Sequence, residues 1–393
     1  MENIQSTLQK IIGNTTAVAK GGVKNILVLY EEKIFNIGDC CVRFDKLKYF
    51  RAFFNNAAIS MNFKKENAKF ADGLLKNNPH LASVSMLDWD EIAFNDYDIV
   101  IAVMYNEENI LKFIHDKYGA AIRDGRFPLA IYSMSQLILQ PSDSGKYIFP
   151  LNRPLIEMAR TPDPGELYVS EEEQQWANSW LQSKGMKEGE DLLILLDSTL
   201  RKDKLLNPLV YFEFVGELLK RENTRVLVFD EAGVGKEEFY RAWLGDQYMG
   251  KLIVSRQLTL RQDICLLAST YTRMVFGPCT GLLHCASAIY NNYVSKGMPV
   301  AQVPLLAVYT GQYKGLELNA FTWWGRAPLV SCLMLKQRPG GKQLELLHQL
   351  PQNEKMLNNS LPCSEYTSAM LTGFVNSKIK PRKQSVAYDM SLN

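Results

Sequence analysis

The stretch Val275–Tyr290, VFGPCTGLLHCASAIY, admits few arrangements. The apolar run Met274-Val275-Phe276 that leads it suits a buried strand. Gly277 and Pro278 are expected to break that strand. Cys279-Thr280-Gly281 then lead into a helical pattern, with Leu282, Cys285, Ala286 and Ile289 at i, i+3, i+4 and i+7 on one face. His284 falls in the first turn of that helix. A helix N-terminus presents free N–H groups and roughly half a positive charge, so it is a natural place for a phosphate. Thr280 adds a hydroxyl there, and Gly281 lets the backbone approach closely. The same residues also suit an ordinary strand-to-helix turn, and the pattern alone does not choose.

The rest of the chain repeats the strand–helix alternation. Residues 1–22 are polar and read as a peripheral helix or arm. Asn25–Tyr30 (NILVLY) is a short buried strand, followed by a loop to Gly38 and by Asp39. From Cys41 to Asn55, Phe44, Leu47, Phe50 and Phe54 recur near helical spacing. Ala57–Met61, Tyr97–Val103 and Phe127–Tyr132 are further predicted strands. Ala159–Tyr168 (ARTPDPGELY), with two prolines and a glycine, is the expected linker. Ser170 with Glu173 forms a capping box for a helix carrying Trp176 and Trp180, ended by Gly185. Leu192–Leu196, Arg225–Phe229, Leu252–Val254, Arg273–Phe276 and Pro304–Tyr309 are predicted strands of a second domain. Asn207-Pro208 reads as the N-cap and first residue of a helix, and Thr259 with Gln262 as a second capping box. Ser364 is expected to cap a last helix that packs back on the first domain, and residues 377–393 to fray. Strands alternating with helices imply α/β architecture with parallel, covered sheets.

At 393 residues and 44.7 kDa the chain exceeds one average core, so two domains are expected. The boundaries fall at 1–165, 166–360 and a C-terminal helix with a basic tail at 361–393. A net charge of +2 argues against a nucleic-acid partner. There is no run of 18 apolar residues, so no membrane span is expected. The N-terminus lacks a basic segment followed by an apolar core and does not read as a signal peptide. Seven scattered cysteines without a CxxC pair read as reduced thiols in a cytoplasmic protein. His80, His115, His284 and His348 show no metal-ligand spacing.

Several groups could carry chemistry. Asp39 follows Gly38 just after the first strand, where a carboxylate can take a proton from an acceptor hydroxyl; a helix N-cap is the alternative. Asp197–Lys204 (DSTLRKDK) puts hydroxyls and cations after the first strand of the second domain, which suits a diphosphate as well as a solvated loop. Ala232–Glu237 (AGVGKE) invites a phosphate-loop reading that Asp230 and Glu237 refuse, since GxxxxGK[ST] needs Gly and Ser/Thr at those positions. Glu237 and Glu238 could face a ribose, but suit a surface helix start better. Cys279 and Cys285 read as small buried hydrophobes rather than nucleophiles.

In order and spacing these pieces resemble the family 9 glycosyltransferases, the heptosyltransferases of lipopolysaccharide synthesis. The matching residues are Ile37-Gly38-Asp39, Leu167–Ser170 before an acidic helix, Ser198–Lys204 with Asn207-Pro208, Leu258–Leu260, and Cys279–His284. They span roughly 24–335. The resemblance implies the GT-B fold, two Rossmann-like domains with parallel sheets facing across a cleft. It implies an inverting, metal-independent transfer from a nucleotide-diphosphate sugar, with no cofactor. Asp39 would be the catalytic base. Lys204, Thr280, Gly281 and His284 would serve the donor's diphosphate, with Ser198 and Thr199 beside it and Cys279 lining the donor pocket. The first domain would take a glycan or glycolipid acceptor, and peripheral contact with the inner membrane surface is compatible with that role. The family places Asp before the Thr-Gly pair where this chain has Cys279, a thiol that is a weak acceptor and mostly uncharged at an unperturbed pKa of about 8.5. A sugar other than heptose is therefore expected. A sugar-nucleotide epimerase or hydrolase of the same fold, or a non-catalytic GT-B binding protein, are the alternatives.

Overall fold

The computed structural model describes residues 2–18, 20–31, 37–44, 46–103, 108–133, 165–231, 233–315, 319–320, 324 and 328–379. Two compact units emerge. The first holds Met1–Gln174, Thr259–Cys265 and His284–Met298; the second holds Gln175–Leu258, Leu266–Leu283 and Pro299–Asn393.

The first unit is built on five parallel strands, β1 (Asn25–Tyr30), β2 (Ala58–Phe63), β3 (Ser83–Ser85), β4 (Ile99–Val103) and β5 (Ala130–Ser133), in the order β3-β2-β1-β4-β5. Ile26–Tyr30 and Ile99–Val103 are buried along their whole length, as parallel strands covered on both faces must be. Helix α1 (Glu2–Ala17) is part of this core and not a peripheral arm: Ile11 is fully buried beside Leu27, Val100 and Ile114. Thr15 fastens the helix to β5, its Oγ1 accepting from the N–H of Ile131 at 3.0 Å and donating to Ile11 at 2.8 Å. The expected single helix over 41–55 is two, α2 (Ile37–Phe44) and α3 (Lys46–Phe53). Then follow α4 (Ala68–Leu75) and α5 (Glu108–Arg123). Of the expected linker, residues 159–164 lie outside the described residues.

Helix α6 (Glu171–Ser183) begins in the first unit and runs on into the second, and its Ser170–Glu173 capping box is formed at 3.1 and 3.3 Å. Gly185 follows at φ +90°, where the left-handed region favours glycine. The sheet of the second unit has seven strands: β6 (Asp191–Leu195), β7 (Thr224–Asp230), β8 (Leu252–Arg256), β9 (Thr272–Pro278), β10 (Leu305–Thr310), β11 (Val330–Arg338) and β12 (Gly341–Leu346). The order is β12-β11-β10-β9-β6-β7-β8, parallel except for the β11–β12 hairpin. Helices α7 (Pro208–Leu219), α8 (Lys236–Leu244), α9 (Asp246–Met249) and α12 (Ser368–Lys378) belong to the second unit, while α10 (Leu260–Leu267) and α11 (Gly281–Ser295) are divided between the two. Asn207 caps α7 by accepting from Leu209 at 3.0 Å, and Thr259 with Gln262 caps α10 at 2.8 and 3.3 Å.

Three expectations are corrected. Gly277 and Pro278 do not break their strand; β9 runs through them, opposite Val308 and Tyr309. A Cβ on Gly277 would lie 2.6 Å from Cβ and 2.7 Å from the carbonyl oxygen of Leu196, so glycine is what lets the ends of β6 and β9 pass. The last helix is capped by Thr367, accepting from Met370 at 3.3 Å, while Ser364 lies in a short 3₁₀ turn. That helix packs on α7 and is counted in the second unit rather than the first. The fraying expected for 377–393 meets a helix through Lys378, and 380–393 lie outside the described residues.

Candidate functional site

In an open parallel sheet, ligands bind beyond the carboxyl ends of the strands where the strand order reverses. In the second unit the reversal lies between β6, from which the chain moves to β7 and β8, and β9, on the other flank. Ser198, Thr199 and Lys204 follow β6, and Cys279, Thr280 and Gly281 follow β9. Six of the expected site residues thus stand at one switch point.

Their contacts are specific. Lys204 Nζ donates to the carbonyl of Cys279 at 3.2 Å, tying the two strand ends together. The same ammonium lies 5.3 Å from the centroid of the Tyr313 ring, and the Arg201 guanidinium 6.0 Å from it. Arg201 is held by both oxygens of Asp203, at 3.0 and 2.6 Å, and donates to the Lys314 carbonyl at 2.9 Å. Asp203 in turn accepts from the N–H of Lys314 at 3.0 Å. The Arg201 hydrogen bonds hold the Asp203 carboxyl below its usual range against the opposing pull of burial. The loops after β6 and β10 are therefore one connected wall. Thr280 Oγ1 is buried without a hydrogen-bond partner at the head of the 15-residue helix α11. The Tyr313 hydroxyl is also buried and unpartnered. A hydroxyl before a helix ordinarily accepts from the first turn; Thr280 does not. Cys279 is 7% exposed.

No local pattern places Lys236 here, yet its ammonium reaches Asp197 Oδ1 at 2.6 Å, Ser198 Oγ at 2.7 Å and the Phe229 carbonyl. Tyr240 donates to the other Asp197 oxygen at 2.8 Å and shares a 2.6 Å hydrogen bond with Tyr211. The glycine-rich turn before α8 is already filled. Asp230 accepts from the N–H groups of Val234, Gly235 and Lys236 at 2.9, 3.2 and 3.3 Å. Burial opposes ionisation of Asp230, but these N–H groups and Arg256 outweigh it and keep the carboxyl below its ordinary range. The phosphate-loop reading fails physically for this reason: the loop binds its own carboxylate. Glu237 and Glu238 pair with Arg241 and Arg256, each at 3.3 Å, as a surface helix start would.

In the first unit the switch point lies at β1, between β2 and β4. Asp39 stands in the first turn of α2, which follows β1; its side chain lies outside the described residues. Its neighbour Gly38 abuts His284: a Cβ there would lie 2.8 Å from the imidazole Cδ2. One turn on, the thiols of Cys41 and Cys285 face each other at 3.6 Å. The Cys285 thiol and burial push the Cys41 thiol up, so Cys41 is not an activated nucleophile. His284 is thus set against α2 of the first unit, while the six residues above belong to the second. Glu31, directly after β1, was not singled out from sequence. Burial raises its carboxyl despite Trp89 and Lys64, the latter 3.5 Å away. An isolated glutamate after a strand carries no pattern that would have marked it. All seven cysteines are free and buried, and no group of three or more potential metal ligands occurs among the described residues. No described helix is long and apolar enough to cross a membrane.

No protein-family model matches the chain, and no curated protein matches it. Solved structures do. The chain is similar to the ADP-heptose lipopolysaccharide heptosyltransferase II of E. coli, with a TM-score of 0.59 and 12% identity over 90% of this chain and 98% of that one. It is also similar to a family 9 glycosyl transferase of Veillonella parvula, with a TM-score of 0.55 and 16% identity over 81% and 87% of the respective chains. At such identities the likeness establishes the fold, and it is the GT-B fold expected from the sequence.

Proposed function

We propose that the protein is a glycosyltransferase that moves a sugar from a nucleotide-diphosphate donor to a hydroxyl of a surface glycan or lipopolysaccharide-type acceptor, with inversion and without a metal. The observation that carries this reading is the buried, unpartnered Thr280 hydroxyl at the head of α11, beside a lysine at the switch point of the second sheet. A diphosphate oxygen would satisfy that hydroxyl and the free N–H groups of the helix. The similarity to an ADP-heptose heptosyltransferase supports the donor class.

In this mechanism Asp39 takes the proton from the acceptor hydroxyl, whose oxygen attacks the anomeric carbon as the bond to the diphosphate oxygen breaks. Negative charge then grows on the leaving nucleotide diphosphate. Lys204, Thr280 and the helix N-terminus favour that state more than the ground state, which lowers the barrier. Acceptor binding falls to the first unit and donor binding to the second.

Calorimetric titration with ADP, UDP and GDP tests the donor site. Wild type is expected to bind at least one, and Lys204→Ala to bind it about tenfold or more weakly, the loss of a charge-assisted hydrogen bond. Equal binding by Lys204→Ala, or none by wild type, would refute the assignment. With Lys204 and the helix supplying the positive charge, transfer should also survive EDTA. Loss of activity that a divalent ion restores would sink the metal-independent mechanism.

A further inference from the structure

We propose that Lys236 is a positioning residue of the same anion site: it cancels the charge of Asp197 and leaves the Ser198 hydroxyl set to donate to a diphosphate oxygen. The inference rests on the nucleotide-diphosphate reading above.

An ammonium has three N–H donors. In Lys236 they meet Asp197 Oδ1, Ser198 Oγ and the Phe229 carbonyl, and the side chain is only 14% exposed. Lys236 therefore acts on a ligand through its two neighbours and not by direct contact. Asp197 is the first of them. It stands directly before Ser198 at the end of β6, where a bare carboxylate would repel a bound diphosphate. Lys236 at 2.6 Å supplies the opposite charge, and the Tyr240 hydroxyl at 2.8 Å satisfies the second oxygen. Glu231, 3.7 Å from the ammonium, is 44% exposed and screened by solvent.

Ser198 is the second neighbour. Its oxygen accepts from Lys236 at 2.7 Å, which uses one lone pair. Its proton has only a long contact within the protein, to Asp197 Oδ1 at 3.3 Å. The side chain is exposed, so the O–H can turn outward. A hydroxyl whose acceptor side is engaged and whose proton is available favours a ligand made of acceptors. A diphosphate is such a ligand.

The test separates charge cancellation from simple support of the loop. ADP, UDP and GDP are titrated by calorimetry into wild type, Lys236→Met, Asp197→Asn and the double variant Lys236→Met/Asp197→Asn, with circular dichroism melts confirming cooperative unfolding of each. Lys236→Met should weaken the best ligand by about tenfold or more, because it leaves Asp197 charged beside the site. Removing that charge should rescue the loss, bringing the double variant to within about threefold of Asp197→Asn. A residue that merely held the loop in place would leave the double variant as weak as Lys236→Met, and that result overturns the proposal. So does undiminished binding by Lys236→Met. If Lys236→Met does not fold, Lys236→Gln, which keeps a hydrogen-bonding head without charge, carries the same comparison. Failure of wild type to bind any of the three overturns the diphosphate reading together with this one. Binding by wild type without rescue overturns this one alone.

Discussion

Asp39→Asn is expected to lower the rate of sugar transfer by on the order of 10²-fold or more, with nucleotide-diphosphate affinity little changed. The amide keeps the shape of the carboxylate but cannot take a proton from the acceptor hydroxyl. The location supports the role. α2 follows β1, where the first sheet reverses its order, and Asp39 lies in its first turn. Gly38 packs directly on the ring of His284. Initial rates with saturating donor, beside calorimetric affinities, make the measurement. A variant within about threefold of the wild-type rate would remove Asp39 from the mechanism. Glu31 is the rival at the same strand end, its carboxyl raised by burial. A large loss in Glu31→Gln with normal Asp39→Asn would move the base to Glu31.

Arg261→Ala should destabilise the first unit by about 3–5 kcal/mol, the usual cost of removing one partner from a buried charged pair. Arg261 is 9% exposed and grips Glu173 at 2.9 and 2.5 Å, while also donating to the carbonyls of Gly73 and Tyr168 at 3.1 and 2.6 Å. It thereby pins three segments far apart in sequence. Burial works against the Glu173 carboxylate. Arg261, Lys76 and the N–H of Ser170 outweigh that and bring its pKa down to about 2. A carboxylate lowered on folding adds stability that is complete above its unfolded pKa and disappears as pH falls through the folded one. A drop from 4.5 to about 2 corresponds to roughly 3 kcal/mol, lost between those pH values. Urea unfolding at neutral pH gives the first effect. Stability–pH curves for wild type and Arg261→Ala give the second, with wild type falling more steeply between pH 4.5 and about pH 2. A loss under about 1 kcal/mol, or parallel curves, would show that the pair does not hold the unit together.

What could be read from the sequence follows from what is encoded locally. Apart from Asn25 and Arg225, the runs NILVLY and TRVLVFD are buried, so nearly every position carries the signal. The three helix caps at Ser170, Asn207 and Thr259 are written within four residues each and form as read. The edge hairpin is different. β12 is half-exposed and charged, with Arg338 on β11 bridging to Glu345, so it lacks the apolar alternation that betrays a strand. Gly277 misled because its lack of a Cβ serves a neighbour 81 residues away, Leu196, and not a local turn. At the candidate site, Thr280 and Lys204 were legible through their order along the chain. Lys236 and Tyr313 were not, since they reach the site across the sheet's upper edge, through contacts that no local pattern carries. The last helix was expected on the wrong unit for the same reason: a cap says where a helix begins and nothing about what it covers.

The turn before α8 has a consequence for competition. Its three N–H groups are met by Asp230, four to six residues away along the same chain. A tethered carboxylate is present at a local concentration that dissolved phosphate in a cell does not approach. An incoming anion would have to evict it and leave a buried charge stranded beside Arg256. Of the helix heads at α8 and α11, the one at α8 thus already holds its anion. Partition between them is decided before any ligand arrives, because at one of the two the ligand is part of the polypeptide.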